Sequence, residues 1–134
     1  MGACYAVVCK IKFKDGDVAE KAREIMKMTY KSDIATGIGF CLDKYPFEEP
    51  NSIEDFLSLY FAQHQGNYSC ERYMYKNGKV YFKVDAGFDA RYGWHMVMYR
   101  FFKALAQKLE NGSYLKINDD DDTVYRIKNG KVDL

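Results

Sequence analysis

Between residues 4 and 14 the chain alternates. Tyr5, Val7, Cys9, Ile11 and Phe13 fall on one parity, and Lys10, Lys12 and Lys14 fall on the other. Successive side chains of a strand point to opposite faces, so this segment is expected to be a strand with one buried face. The second parity begins apolar, at Cys4, Ala6 and Val8, which places that end centrally in a sheet with cover on both sides.

Asp15-Gly16 breaks the alternation, and Asp17 followed by Glu20 is a capping signal for a helix carrying Ala22, Ile25, Met26 and Thr29 inward, ending near Tyr30. Over residues 31–51, Gly37, Gly39, Pro46 and Pro50 interrupt both periods. A long connection is expected there, with a short strand at most over residues 38–42. Ser52 with Asp55 opens a second helix, whose Ile53, Phe56, Leu57, Tyr60 and Phe61 recur at helical spacing.

Residues 68–76 and 79–88 flank Asn77-Gly78, the pair favoured in two-residue type I′ hairpins because both positions tolerate positive φ. A two-residue loop sets Tyr75 opposite Val80, Tyr73 opposite Phe82 and Glu71 opposite Val84. Arg72, Met74, Tyr81, Lys83 and Asp85 then lie on the other face. Asp89 is the expected cap of a third helix with Trp94, Val97, Met98, Phe101, Phe102, Leu105 and Leu109 on one stripe, stopped by Asn111-Gly112. Residues 114–118 and 123–128 are expected strands around an all-aspartate turn, and Asn129-Gly130 begins a last edge strand. Residues 73–80 and 125–132 resemble each other, as two hairpins solving one turn problem would; the flanks do not extend the match.

The resulting order, β-α-α-β-β-α-β-β, predicts an α+β fold, an antiparallel β-sheet with two to three helices packed on one face. It contains the order of a ferredoxin-like fold with an extra helix and an extra strand, which is the favoured topology; an NTF2-like or cystatin-like curved sheet is the rival. The 134 residues, 48% hydrophobic and 16% aromatic, are enough for one domain over residues 1–134 with a core that needs neither disulfides nor metal.

Charge narrows the choice of partner. With 20 Lys+Arg against 19 Asp+Glu, the net charge of +1 creates no global field for nucleic acid or an anionic membrane. Any charge-driven partner must use a local patch. Cys4, Cys9, Cys41 and Cys70 lack metal-ligand spacing and are expected to be free thiols in a reducing, cytoplasmic setting. No stretch approaches membrane-spanning length, Ala6 fails the myristoylation pattern, and no cofactor is expected.

Candidate chemistry is sparse. A nucleophile needs a base, and the chain contains only His64 and His95. His64, near the end of the second helix, reads as a surface or C-capping residue. His95 lies beside an apolar stripe. Placed by hairpin register beside Tyr73 and Phe82, a buried Glu71 would have a raised pKa, so a pocket of Glu71, His95, Tyr73 and Arg91 is a candidate ligand or acid-base site. Asp119 to Asp122 are adjacent, unlike an EF-hand's alternating ligands, and read as a solvated turn. Gly37 and Gly39 read as a bend rather than a phosphate loop.

Two surface readings remain. Lys10, Lys12, Lys14, Arg72, Tyr81 and Lys83 on an open sheet face would form a basic, aromatic platform for single-stranded nucleic acid. The favoured expectation is a non-enzymatic protein-interaction module, self-associating or binding and inhibiting a larger partner. It is based on twelve tyrosines and six methionines, more amphipathic contact residues than the core requires; Tyr68, Tyr75, Tyr92 and Tyr99 are the interface candidates. Compact size and lysine- and asparagine-rich turns are compatible with a bacterial or phage accessory protein.

Overall fold

A computed structural model describes residues 2–14, 18–36, 49–65, 67–75 and 79–133. Among these, six strands form one antiparallel sheet. They are β1 (Gly2–Lys12), β2 (Ser69–Met74), β3 (Val80–Arg91), β4 (Tyr114–Asn118), β5 (Asp122–Lys128) and β6 (Lys131–Asp133), in the spatial order β2-β3-β1-β4-β5-β6. Three helices join them: α1 (Val18–Thr36), α2 (Ile53–Ala62) and α3 (Trp94–Leu105), the last continued by a 3-10 turn over Ala106–Lys108. The fold is thus α+β, as the periodicities predict.

Alternation in β1 determines which face is buried. Tyr5, Val7, Cys9, Ile11 and Phe13 are almost wholly buried, and the register sets them against the apolar parity of β3: Tyr5 opposite Phe88, Cys9 opposite Val84, Ile11 opposite Phe82. Val7 and Cys9 face Ile117 and Leu115 across β4. Matching apolar parities across neighbouring strands makes one face continuous, and a slip of one residue would expose all of it. Helix α2 covers this face over β2 and β3. Helix α1 packs on α2 and α3, as an outer layer rather than directly on the sheet. Every residue of α2 from Phe56 to Ala62 is consequently buried, because the sheet covers one side and α1 the other.

Several local expectations are corrected by tertiary contacts. Helix α1 continues past Tyr30 to Thr36, since no breaker intervenes before Gly37 and Asp33 falls on the inward stripe that also carries Ala22 and Met26. Its expected cap, Asp17, and the possible strand over residues 38–42 lie outside the described residues. Ser52 does cap α2, its Oγ accepting from the Asp55 N–H at 3.1 Å. Asp89 is not a cap. Pairing with β1 keeps β3 extended through Arg91, and α3 starts after Gly93 at φ 93°.

The β2–β3 hairpin is one residue out of the expected register. Tyr73 pairs with Tyr81, Arg72 with Phe82, Glu71 with Lys83 and Cys70 with Val84, and the Tyr75 N–H donates to the Lys79 carbonyl at 2.8 Å. Three residues, Lys76, Asn77 and Gly78, separate that pair; the expected Asn77-Gly78 turn itself lies outside the described residues. The two-residue turn instead occurs at the echo of this sequence. Lys128 pairs with Lys131, and Asn129 and Gly130 take φ 53° and 77°, the positive-φ pair that matches strand twist.

Candidate functional site

The register makes the side of the sheet away from the helices readable residue by residue. Paired residues share a face. The partners of the buried parity therefore place Lys10 beside Lys83 and Tyr114, Lys12 beside Tyr81, Tyr73 beside Tyr81, and Glu71 beside Lys83. Beyond β4, Tyr114 faces Arg126, and Lys128 faces Lys131. Burial of Leu115 and Ile127 on the core side confirms the parity of β4 and β5.

This face is chemically polarised along the strands. One end carries Lys10, Lys12, Lys83, Arg126, Lys128 and Lys131, with Glu71 and Asp133 as countercharges. Toward the other end β1 and β3 present Cys4, Ala6, Asp85, Gly87 and Asp89, and the turn after β4 adds Asp119, Asp120 and Asp121, outnumbering the two cations of that half, Lys116 opposite Val8 and Arg91 at the end of β3. A net charge near zero thus hides two opposite local patches.

At the basic end three tyrosines stack. Tyr73 and Tyr81 lie 4.8 Å apart between ring centroids and 11° from parallel, and Tyr75, diagonal to Tyr81 in the register, stacks on it at 4.7 Å. Cross-strand and diagonal neighbours of an antiparallel pair are the positions from which aromatic rings can meet. Each ring is flanked by a lysine: Lys10 Nζ is 5.1 Å from the Tyr81 centroid, and Lys12 and Lys83 are each 5.8 Å from those of Tyr75 and Tyr73. The Tyr73 hydroxyl donates to the Glu71 carboxylate, which raises the phenol's pKa.

Of the expected nucleic-acid set, Lys10, Lys12, Tyr81 and Lys83 come together on this face. Arg72 does not: paired with Phe82, it lies on the helix side of the hairpin, a consequence of the one-residue slip. Lys14 follows the end of β1 and is exposed. The expected pocket is not assembled. Glu71 is exposed on the open face, not buried as that pocket requires. Arg91 lies eight residues along β3 from Glu71's partner Lys83, about 26 Å at strand rise. His95 sits near that far end, its ring 6.4 Å from Tyr5.

The interface tyrosines are dispersed. Tyr75 belongs to the open-face stack, whereas Tyr99 packs on Tyr125 at 4.7 Å, beside Leu115 on the helix side. Tyr68 is packed against the core, 3.4 Å from His64 Nδ1, and Tyr92 is 64% exposed in the turn before α3.

Other candidate chemistry is occupied by structural bonds. The Asp119 carboxylate accepts from the Asp120 and Asp121 N–H groups at 2.6 and 3.3 Å, which lowers its pKa and commits it to the turn. The Cys4 thiol donates to Asp89 Oδ1 at 2.8 Å, and that hydrogen bond, followed by the carboxylate's charge, raises the thiol pKa, away from nucleophilic thiolate. Among the described residues no cluster of His, Cys, Asp and Glu has the geometry of a metal site, and no helix is long and apolar enough to cross a membrane.

Sequence reasoning missed the tyrosine stack, since Tyr73 and Tyr75 were assigned to a pocket and an interface, and it missed the basic contribution of β5 and β6. Alternation around Ile127 was the available signal for Arg126 and Lys128. Comparison of the chain with protein-family models, curated proteins and solved structures finds no match.

Proposed function

We propose that the basic end of the sheet's open face binds single-stranded nucleic acid, with Tyr73, Tyr81 and Tyr75 as a stacking platform and Lys10, Lys12 and Lys83 as phosphate partners. The observation that carries this reading is the three-ring stack flanked by three lysines on a face that none of the described helices covers. Bases stack on aromatic rings with about 1–3 kcal/mol each, largely independent of sequence. An exposed lysine over a ring is worth about 0.5–1 kcal/mol. Replacing an ammonium by a base at the ring is therefore favourable, and it frees the ammonium for a phosphate. A ferredoxin-like topology with additions is the fold reading that goes with this proposal, supported by the antiparallel neighbour order β4-β1-β3-β2.

This reading replaces the protein-interaction module as the favoured one, because the four tyrosines invoked for the latter do not share a face. The test is fluorescence anisotropy with a labelled oligothymidylate across a salt series. Binding is expected to weaken with salt, and replacing Lys10, Lys12 and Lys83 by Gln is expected to reduce the log–log slope by about 2, at roughly 0.7 per phosphate contact. Tyr73→Ala with Tyr81→Ala is expected to weaken binding at least tenfold at fixed salt. Salt-independent or absent binding overturns the proposal. Equal binding of polyglutamate, with no effect of the tyrosine changes, would show instead an acidic-protein partner held by charge alone.

A further inference from the structure

Cations on the open face do not stop at the tyrosine stack. Lys10 on β1 is followed across the sheet by Tyr114 on β4 and Arg126 on β5; one step toward the strand end, Lys128 on β5 faces Lys131 on β6. Arg126, Lys128 and Lys131 are exposed, and neither Lys128 nor Lys131 has an acidic partner among the described residues' ion pairs.

We infer that a single strand crosses this sheet at right angles to the β-strands, its bases beginning on the Tyr73–Tyr81 stack and its phosphates following Lys10, Arg126, Lys128 and Lys131 to the β6 edge. This inference rests on the nucleic-acid reading of the stack and adds its direction, its footprint and the β5–β6 cations.

Two features select the transverse path. A strand laid parallel to the β-strands from the tyrosine stack meets Asp85 and Asp89 on β3 and then the aspartates after β4, with only Lys116 and Arg91 to offset them. Phosphates within the Debye length of those carboxylates, about 10 Å at 0.1 M salt, are repelled. A strand laid across the sheet meets Lys10, Arg126, Lys128 and Lys131 against one carboxylate, Asp133, opposite Arg126. Adjacent strands are about 4.8 Å apart, so the path from Tyr81 on β3 to Lys131 on β6 spans four gaps, roughly 19 Å. That length suits a short single-stranded segment, at the lower end of the roughly 4–16 nucleotides covered by single-strand-binding folds. Tyr114, half-buried between Lys10 and Arg126, offers a further ring partway along.

The experiment compares oligothymidylates of about three, six and nine nucleotides on the wild-type chain and on a variant with Arg126→Ala, Lys128→Ala and Lys131→Ala, all exposed and outside the core. Circular dichroism checks that the variant is folded. Wild-type affinity is expected to rise at least tenfold from the shortest to the middle length. The variant is expected to bind the shortest oligomer within threefold of wild type and to lose most of the gain with length, its salt slope at the middle length falling by about 2. A variant that keeps the full gain while Tyr73→Ala and Tyr81→Ala abolish binding overturns the transverse path and leaves the stacking platform standing. A gain in Asp85→Asn with Asp89→Asn larger than the loss in the triple variant overturns it in favour of a path along the strands. Failure of wild-type protein to bind any length overturns the platform reading, and the path with it.

Discussion

Asp33 is 3% exposed, and the Tyr60 hydroxyl donates to its Oδ2 at 2.6 Å, tying α1 to α2 beneath the outer helix layer. Burial raises the Asp33 pKa; the Tyr60 hydrogen bond and the Arg100 charge oppose this without cancelling it. Replacing Tyr60 by Phe keeps the ring, stacked on Phe101 at 3.9 Å, and removes only the donor. At neutral pH the ionised carboxylate loses a hydrogen bond of the charged class, a destabilisation of about 1.5–3 kcal/mol. At about 4 °C per kcal/mol for a chain of this size, the expected drop in Tm is roughly 6–12 °C. As the pH falls through the raised Asp33 pKa the acceptor becomes neutral, and the cost shrinks toward the roughly 0.5–1.5 kcal/mol of an uncharged bond.

The linkage sign for Asp33 itself is the reverse of the common carboxylate case. A folded pKa above the unfolded value means the native state holds more protons in that window, so this group's contribution to stability falls as pH rises through it. Asp33→Asn, which retains an acceptor for Tyr60, is therefore expected to gain stability relative to wild type as pH rises above the ordinary aspartate range. Urea denaturation of wild type, Tyr60→Phe and Asp33→Asn at acidic and neutral pH measures both trends. A Tyr60→Phe cost below about 0.5 kcal/mol at neutral pH, or one that grows on acidification, refutes the reasoning.

Two further outcomes are expected. Gly130→Ala should cost about 1–2 kcal/mol, because φ 77° is left-handed, whereas Gly87→Ala, whose added Cβ meets nothing within 4 Å on the open face, should stay within about 0.5 kcal/mol of wild type; thermal melts of both variants separate the two. Cys4 is exposed but held protonated by Asp89, so Asp89→Asn should lower the thiol pKa and speed its reaction with a thiol reagent at mildly alkaline pH. An unchanged rate for that variant would remove the Asp89 hydrogen bond as the cause.

Local periodicity carried a large part of the fold. Alternation in β1, the Ser52 cap and apolar stripe of α2 and the Trp94-to-Leu105 stripe of α3 each follow from side-chain direction over a few residues, which sequence spacing expresses directly. Asp33 escaped because a polar residue on an inward stripe reads as the end of a helix unless its partner, 27 positions later, is known. Asp89 was misread because a cap and a strand residue look alike until the β1 pairing that extends β3 is present. Hairpin register turned on a single residue of loop length, and that residue moved Glu71 and Tyr73 from the face of Phe82 to the face of Tyr81 and sent Arg72 the other way. The candidate site was legible only in fragments: the lysine parity of β1 could be read along the chain, but its assembly with Tyr73, Tyr75, Tyr81, Arg126 and Lys131 depends on which strands are neighbours. Sequence by itself determined the elements and which face of each is apolar, because both are set by contacts between near residues. Only tertiary structure decided neighbour order, register and the separation of charge into two ends of one face, because those depend on pairings between residues far apart in the chain.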